Sequence, residues 1–213
     1  MKRQYAVLGL GTFGYSTACT MAEEGYDVLA ADFQEDAVNR IAPFVTRAVQ
    51  ADLANEAALR ELGLEGLDGV VICLSENLEA SVVATVVAKE CGVPHVLVKV
   101  QNELQEMVLR KVGADEVVFP ERSMGVRVAR SMIAGRFVDM IELTKHVSMA
   151  EVIVPGEWAG RSLLDLDLRK KGISVIGRQI GEELMMQLDP AQPLVPGDKY
   201  IVVGDTGVLE SLI

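Results

Sequence analysis

The chain has 213 residues, half of them hydrophobic, and its 31 acidic against 20 basic side chains give a formal net charge of −11. That is enough for one good core and a small second domain, while the acidic excess opposes binding to nucleic acid or to an anionic membrane surface. The apolar runs fall far short of a membrane span, and no signal peptide is expected ahead of a strand that starts almost at once.

In chain order, the first element is an apolar strand at 5–8, Tyr5-Ala6-Val7-Leu8, which runs directly into Gly9-Leu10-Gly11-Thr12-Phe13-Gly14. This Gly-x-Gly-x-x-Gly loop opens a helix expected over 12–24. Gly9 suits the tight turn, Gly11 lets a pyrophosphate approach the backbone, and Gly14 lets the helix pack closely on the sheet. The helix N-terminus offers free N–H groups and a partial positive charge to phosphates. The competing reading is a glycine turn that only packs a βα unit. A second strand, 27–32, ends on Asp32, eighteen positions after Gly14, where an acid is placed to hydrogen-bond a ribose hydroxyl pair. Its bland alternative is a solvated acid at a strand end. Such a carboxylate also repels a 2′-phosphate, which disfavours NADP(H).

Strands at 46–51, 69–74, 95–100 and 116–120 alternate with helices at 35–42, 55–62, 77–91 and 103–112. Short apolar strands separated by amphipathic helices imply right-handed βαβ crossovers and a parallel sheet covered on both faces. The expected fold class is α/β: a doubly wound, Rossmann-type sheet with its ligand crevice at the carboxyl ends of the strands. Phe33 and Gln34 after the second strand, and Leu74, Ser75 and Glu76 at the end of the fourth, fall at that crevice. Glu76 has a second reading, as an acid that favours a helix N-terminus. Gly25, Gly63, Gly92 and Gly113 follow helices, where left-handed caps are expected. Cys19, Cys73 and Cys91 lack Cys-x-x-Cys spacing and have apolar neighbours, a pattern that fits core packing in a reducing compartment and no zinc site.

Beyond Pro120 the pattern predicts a helix from Glu121 to Ile133 with Met124, Val128 and Met132 on one face, an interruption near Gly135, and a second apolar arm through Phe137, Val138, Met140 and Ile141. Such a helix–turn–helix either packs as a last helix or buries its apolar face on another subunit. From about Lys145 the periodicity shortens to strands at 148–154, 173–178, 184–188 and 199–203, the last preceded by the turn signal Pro196-Gly197-Asp198, giving a small α+β module. The expected boundaries are a nucleotide-binding domain at 1–122, a crossover and linker at 123–144, and a C-terminal domain at 145–213.

Dehydrogenase chemistry needs a proton-transfer group beside the nicotinamide. The chain has two histidines, His95 leading into an apolar strand and His146 in the linker, no Tyr-x-x-x-Lys dyad, and no Gly-x-Ser-x-Gly elbow or Walker loop. A nucleotide site without such groups points to sensing; an unusually short NAD(H)-dependent oxidoreductase is the alternative.

Several stretches together resemble the cytoplasmic regulatory subunits of bacterial potassium-uptake systems, the KtrA/TrkA family, with an RCK N-terminal domain and a TrkA-C domain. They are the glycine loop, Asp52-Leu53, Val98-Lys99-Val100-Gln101-Asn102, the run from Lys111-Val112-Gly113-Ala114-Asp115 to Pro120-Glu121-Arg122-Ser123-Met124-Gly125, and Ser162 to Arg169. The resemblance implies a cytoplasmic protein, attached peripherally through an integral-membrane potassium transporter. It further implies dimers assembled into an eight-subunit gating ring, with ATP and ADP holding the cleft at different widths. The helix–turn–helix then holds dimers together. A third reading keeps the nucleotide site but assigns a different cation channel or antiporter as partner.

The resemblance also implies residue roles. Asp52 and Leu53 border the adenine, although a helix N-cap is a rival for Asp52. Lys99, a cation in an apolar strand that is costly to bury unpaired, reaches the phosphates or the facing carboxylate; otherwise its head snorkels out at the sheet edge. Gln101 and Gln105 occupy contact positions. Glu121 approaches the phosphates together with Mg2+ or another cation, or else complements the dipole of the helix it opens. Thr12 stands where many relatives carry an arginine that touches the terminal phosphates, which raises NAD(H) or AMP as ligands. In the second domain Leu163 to Arg169 resembles a cyclic di-AMP segment in which Arg169 meets a phosphate, against the alternative of a short helix with a solvated arginine; Ser174 replaces the asparagine expected there.

Overall fold

The computed structural model describes residues 2–133, 140–181 and 183–212. The chain divides into two compact units, Met1–Arg122 and Ser123–Ile213.

In the first unit strands and helices alternate: β1 (Gln4–Leu8), α1 (Thr12–Glu23), β2 (Asp27–Asp32), α2 (Glu35–Ile41), β3 (Arg47–Gln50), α3 (Glu56–Glu61), β4 (Gly69–Ile72), α4 (Leu78–Glu90), β5 (Val96–Lys99), α5 (Glu103–Lys111) and β6 (Glu116–Val118). α6 (Pro120–Ile133) follows, with its proline at the first helical position, where the missing N–H costs nothing. Every pairing in the sheet is parallel and the order is β3-β2-β1-β4-β5-β6, the doubly wound Rossmann arrangement expected from the sequence.

The period-two alternation of the strands explains why both faces are covered. Ala6 and Leu8 of β1, Leu29 and Ala31 of β2, and Val70 and Ile72 of β4 share one core with Leu59, Val87 and Leu109 from the following helices. Val7, Val28, Ala30 and Val71 point to the other face, against Ala18 of α1 and Ala37, Val38 and Ile41 of α2. Leu59 and Ile41 are fully buried, and truncating either to alanine costs about 2–5 kcal/mol.

Helix ends follow local chemistry. The side chains of Asn55, Asn77 and Asn102 accept backbone N–H bonds at the starts of α3, α4 and α5. Gly25, Gly63, Gly92 and Gly113 have positive φ after their helices, as expected. α1 differs: Gly11 at its N-cap supplies no side chain, and its first turn has no acidic residue.

The second unit holds an antiparallel sheet in the order β10-β9-β11-β8-β7, made of β7 (Met140–Glu142), β8 (Val147–Ile153), β9 (Ile173–Ile180), β10 (Glu183–Met185) and β11 (Lys199–Asp205). It packs with α7 (Leu163–Leu166) and α8 (Thr206–Leu212) around Val152, Leu166, Ile173, Val202 and Leu209. This is the small α+β module expected from the sequence, with one correction. Met140 and Ile141 are not the end of a second helical arm: they form β7, paired with β8 through Ala150 and Met149. The fourth strand of the first unit stops at Ile72, so Leu74, Ser75 and Glu76 belong to the loop after it. The interruption at Gly135 and the positions Phe137 and Val138 lie outside the described residues. On α6, Met124, Val128 and Met132 are exposed.

Candidate functional site

The carboxyl ends of the parallel strands surround a cavity of about 770 Å3, walled by the glycine loop and by the loops after β2, β3 and β4, with Lys99 and Glu121 at the β5 end. Gly9, Gly11, Thr12, Phe13, Gly14, Asp32, Phe33, Gln34, Asp52, Leu53, Leu74, Ser75, Glu76, Lys99 and Glu121 all belong to its lining. Gln101, Gln105 and Arg169 do not.

The three glycines separate by role. Gly9 has φ +95°, its N–H donates to the Ala31 carbonyl at 2.8 Å, and a Cβ would meet the Cys73 carbonyl oxygen at 2.9 Å. A Cβ on Gly14 would fall 1.9 Å from the Gly9 carbonyl oxygen. Both are demanded by the fold. Gly11 is not: its φ of −62° suits any residue, and a Cβ would meet no protein atom within 4 Å. The missing side chain at Gly11 therefore has no packing reason; it leaves the uncapped start of α1 open to the cavity, an arrangement of N–H groups and dipole that favours an anion.

Asp32 braces the loop as well as facing the cleft. One carboxylate oxygen accepts the Leu10 N–H at 2.6 Å and the other the Gln34 N–H at 2.8 Å, which ties the β1–α1 and β2–α2 loops together. Asp52 is not a helix N-cap; Asn55 takes that position, and Asp52 accepts the Ala54 N–H at 3.0 Å in a turn just before it. Leu53 is buried beside it.

At the β4 end, burial pushes the Cys73 thiol up to about 12, so it stays protonated and is no nucleophile. Sequence reasoning passed over Cys73, Ala54, Asn77 and Ala80, all in the lining; the asparagine before a helical run was a legible cap signal at a second helix N-terminus facing the cleft. Gln105 works behind the wall. Its amide donates to the Ser75 carbonyl at 3.0 Å, and its amide oxygen accepts the Gln101 N–H at 2.8 Å. Gln101 and Gln105 thus fasten the β5–α5 turn to the loop after β4.

Lys99 neither snorkels nor stands alone. Its side chain is 13% exposed, Nζ pairs with Glu121 Oε1 at 2.5 Å, and Nζ lies 5.9 Å from the centre of the Phe13 ring. The hydrogen bond from Lys99 holds the Glu121 carboxyl below its ordinary range. Glu121 remains 66% exposed, so the pair is worth little as stability. Among the described residues no group of three or more His, Cys, Asp or Glu is placed to hold a metal. Glu121 alone offers one carboxylate, already paired with an ammonium, so these residues by themselves do not make a cation site.

Arg169 lies in the second unit, exposed on a short 3-10 turn at 168–171. Asp167 before it has φ 47° and pairs with Lys170. A reciprocal capping box between Ser162 and Asp165 starts α7. His95 Nε2 lies 3.5 Å from a Glu116 carboxylate oxygen, and the His146 carbonyl accepts the Thr206 N–H at 3.0 Å.

Residues 5–120 match the TrkA-N domain family. The chain is 39% identical over 205 residues to the Ktr system potassium uptake protein C of Bacillus subtilis (strain 168), covering 96% of this chain and 93% of that protein. It is 40% identical over 203 residues to the Ktr system potassium uptake protein A of Vibrio alginolyticus, covering 95% and 92%. Among solved structures the GsuK channel bound to NAD matches the whole chain with a TM-score of 0.66 at 16% identity; the chain spans 39% of that one, and the likeness is one of fold. No described helix is long and apolar enough to cross a membrane.

Proposed function

The chain belongs to the TrkA-N domain family and is related over nearly its whole length to Ktr potassium-uptake proteins; from that premise we propose that it is a nucleotide-sensing regulatory subunit of a potassium uptake system, with ATP and ADP as its ligands. The phosphates lie on the N-terminus of α1 beside Gly11, the ribose hydroxyls share Asp32 with the loop N–H groups, and the base occupies the Asp52–Leu53 end. The observation that carries the reading is Gly11: a glycine with space around it and no packing duty, at an uncapped helix start.

The ligand acts by position and charge, and the protein is a regulator, not an enzyme. Lys99 is the cation nearest the phosphate end, and a polyphosphate competes with Glu121 for it. Breaking the Lys99–Glu121 pair frees the first turn of α6, so a ligand with more terminal charge favours the separated state more strongly. Such a ligand moves the assembly only by its difference in affinity for the two states. The exposed face of α6 at Met124, Val128 and Met132 supports assembly of copies into dimers and a ring of eight, attached to the inner face of the membrane through an integral-membrane transporter. In the second unit, Arg169 supports a cyclic di-AMP site by the resemblance of its segment and by its exposure.

A second reading replaces ATP and ADP by NAD(H). Thr12 favours it, since this residue offers a hydroxyl and no charge to a terminal phosphate, and the related fold of GsuK was solved with NAD bound. Calorimetric titration of the full chain with ATP, ADP, NADH and cyclic di-AMP, with the mass read by light scattering, decides between them. ATP and ADP binding to an eight-subunit species supports the proposal; a small species that binds and turns over NADH refutes it.

A further inference from the structure

The cleft wall after β4 is the loop of Leu74, Ser75, Glu76 and Asn77. Its ends are tied locally: the Ser81 hydroxyl of α4 donates to the Leu74 carbonyl at 2.9 Å, and the Asn77 side chain accepts the Ala80 N–H at 3.1 Å. Its middle is held from elsewhere. Ser75 is 5% exposed, and a buried carbonyl needs a donor. The Gln105 amide supplies one at 3.0 Å, from thirty positions along the chain. Among the described residues no other hydrogen bond joins 74–77 to 100–105.

The other half of that amide holds a different segment. Its oxygen accepts the Gln101 N–H at 2.8 Å, while the Gln105 backbone N–H donates to Asn102, the cap of α5, at 3.0 Å. A backbone N–H on one side and a carbonyl on the other admit a single orientation of the amide. Gln105 is outside the cleft lining, yet Ser75 cannot shift without moving it or breaking the bond. On the far side of the turn, α5 starts with Leu104, which is 61% exposed and lines an outer groove with Gln101, Phe119 and Arg122.

We propose that Gln105 is a positioning residue that couples occupancy of the cleft to the β5–α5 turn. It does not meet the nucleotide; it fixes the Ser75 wall for it, and the bound nucleotide in return steadies the turn. The inference rests on the nucleotide reading given above. The reciprocity is thermodynamic: a tie that favours the occupied wall is itself favoured by the ligand to the same degree. A second route runs through the chain, since Lys99 of the lining stands two positions before Gln101, and the experiment has to tell the two apart.

Hydrogen exchange of the full chain, with and without saturating ADP, follows the amides at 9–14 and 101–106 in wild type, Gln105→Glu and Gln105→Met, alongside ADP titrations. An ionised glutamate keeps an acceptor for the Gln101 N–H and loses the donor to Ser75, so Gln105→Glu leaves the ligand-free turn protected and cuts only its link to the cleft. Wild type gains protection with ADP in both stretches. Both variants gain it at 9–14 and not at 101–106, and bind ADP about twofold to tenfold more weakly, the share of one neutral hydrogen bond. Protection at 101–106 that persists in Gln105→Glu assigns it to Lys99 and overturns the role of Gln105. Wild-type ADP affinity in both variants overturns it too, as does a wild type that binds ADP and gains no protection at 101–106. If Gln105→Met fails to fold, Gln105→Glu decides alone. A wild type that binds no ADP is a different failure: it refutes the nucleotide reading, and the inference falls with it.

Discussion

Gly11→Ala separates a ligand-binding role from a folding role more cleanly than any other change in the cleft. The added methyl meets no protein atom within 4 Å and the backbone there has an ordinary φ of −62°. Alanine is a poorer N-cap than glycine by up to about 1 kcal/mol, and the lower entropy of the unfolded chain returns about 0.4–1 kcal/mol. The net change in stability is therefore within about 0.5 kcal/mol, or roughly 1–2 °C in the melting midpoint. On the ligand side the methyl stands where a phosphate must approach, and each charge-assisted hydrogen bond lost costs about 1.5–3 kcal/mol. The assay is thermal unfolding with and without ADP. At a concentration one hundred times its Kd, ADP stabilises the wild type by about 2.7 kcal/mol; a hundredfold weaker Kd leaves about 0.4 kcal/mol. Gly14→Ala is the control, since its Cβ at 1.9 Å from the Gly9 carbonyl must lower the ligand-free midpoint. A Gly11→Ala protein with the wild-type ADP response would refute the assignment of the α1 N-terminus as the phosphate site.

Lys99→Met should leave thermal stability within about 1 kcal/mol, because its partner Glu121 is largely exposed, yet weaken ATP more than a ligand with less terminal charge; equal loss for ATP and AMP in titrations would contradict this. Glu121 has a depressed folded-state value, so its small contribution is present above the ordinary 4.5 and disappears as pH falls through the lower folded value. Stability curves of wild type and Glu121→Gln should accordingly differ at neutral pH and converge in acid, and curves that stay parallel below that range would count against the ion pair. Asp32→Ala strips the acceptor from two loop N–H groups, so it should cost about 1–3 kcal/mol of stability as well as nucleotide affinity, both read in one denaturation series with and without ADP. Arg169→Ala should abolish cyclic di-AMP binding and leave ADP affinity untouched; loss of both together would place the two ligands in one site.

Much of this protein was legible in order along the chain. Alternation in Ala6-Val7-Leu8 and Val28-Leu29-Ala30-Ala31 sends neighbouring side chains to opposite faces of a sheet, and a strand covered on both faces reads as a continuous apolar run. Gly25, Gly63, Gly92 and Gly113 marked helix ends because a left-handed backbone costs least for a residue with no Cβ. The glycine loop and Asp32 located the cleft for the same reason: a tight turn and an uncapped helix are properties of a few consecutive residues. Only the tertiary structure decided what depends on partners distant in sequence. Met140 and Ile141 became a strand because β8 supplies an edge for them, against a local pattern that continued a helix. Gln105 turned out to brace the wall because the Ser75 carbonyl, thirty residues away in the chain, lies within reach of its amide. Lys99 found Glu121 across twenty-two positions, and Phe33 gained its place on the cleft from the order of β2 and β3 in the sheet. Periodicity and φ preference act between neighbours and are written in the chain; the pairing of a charge, an amide or a ring depends on which surfaces the fold brings together.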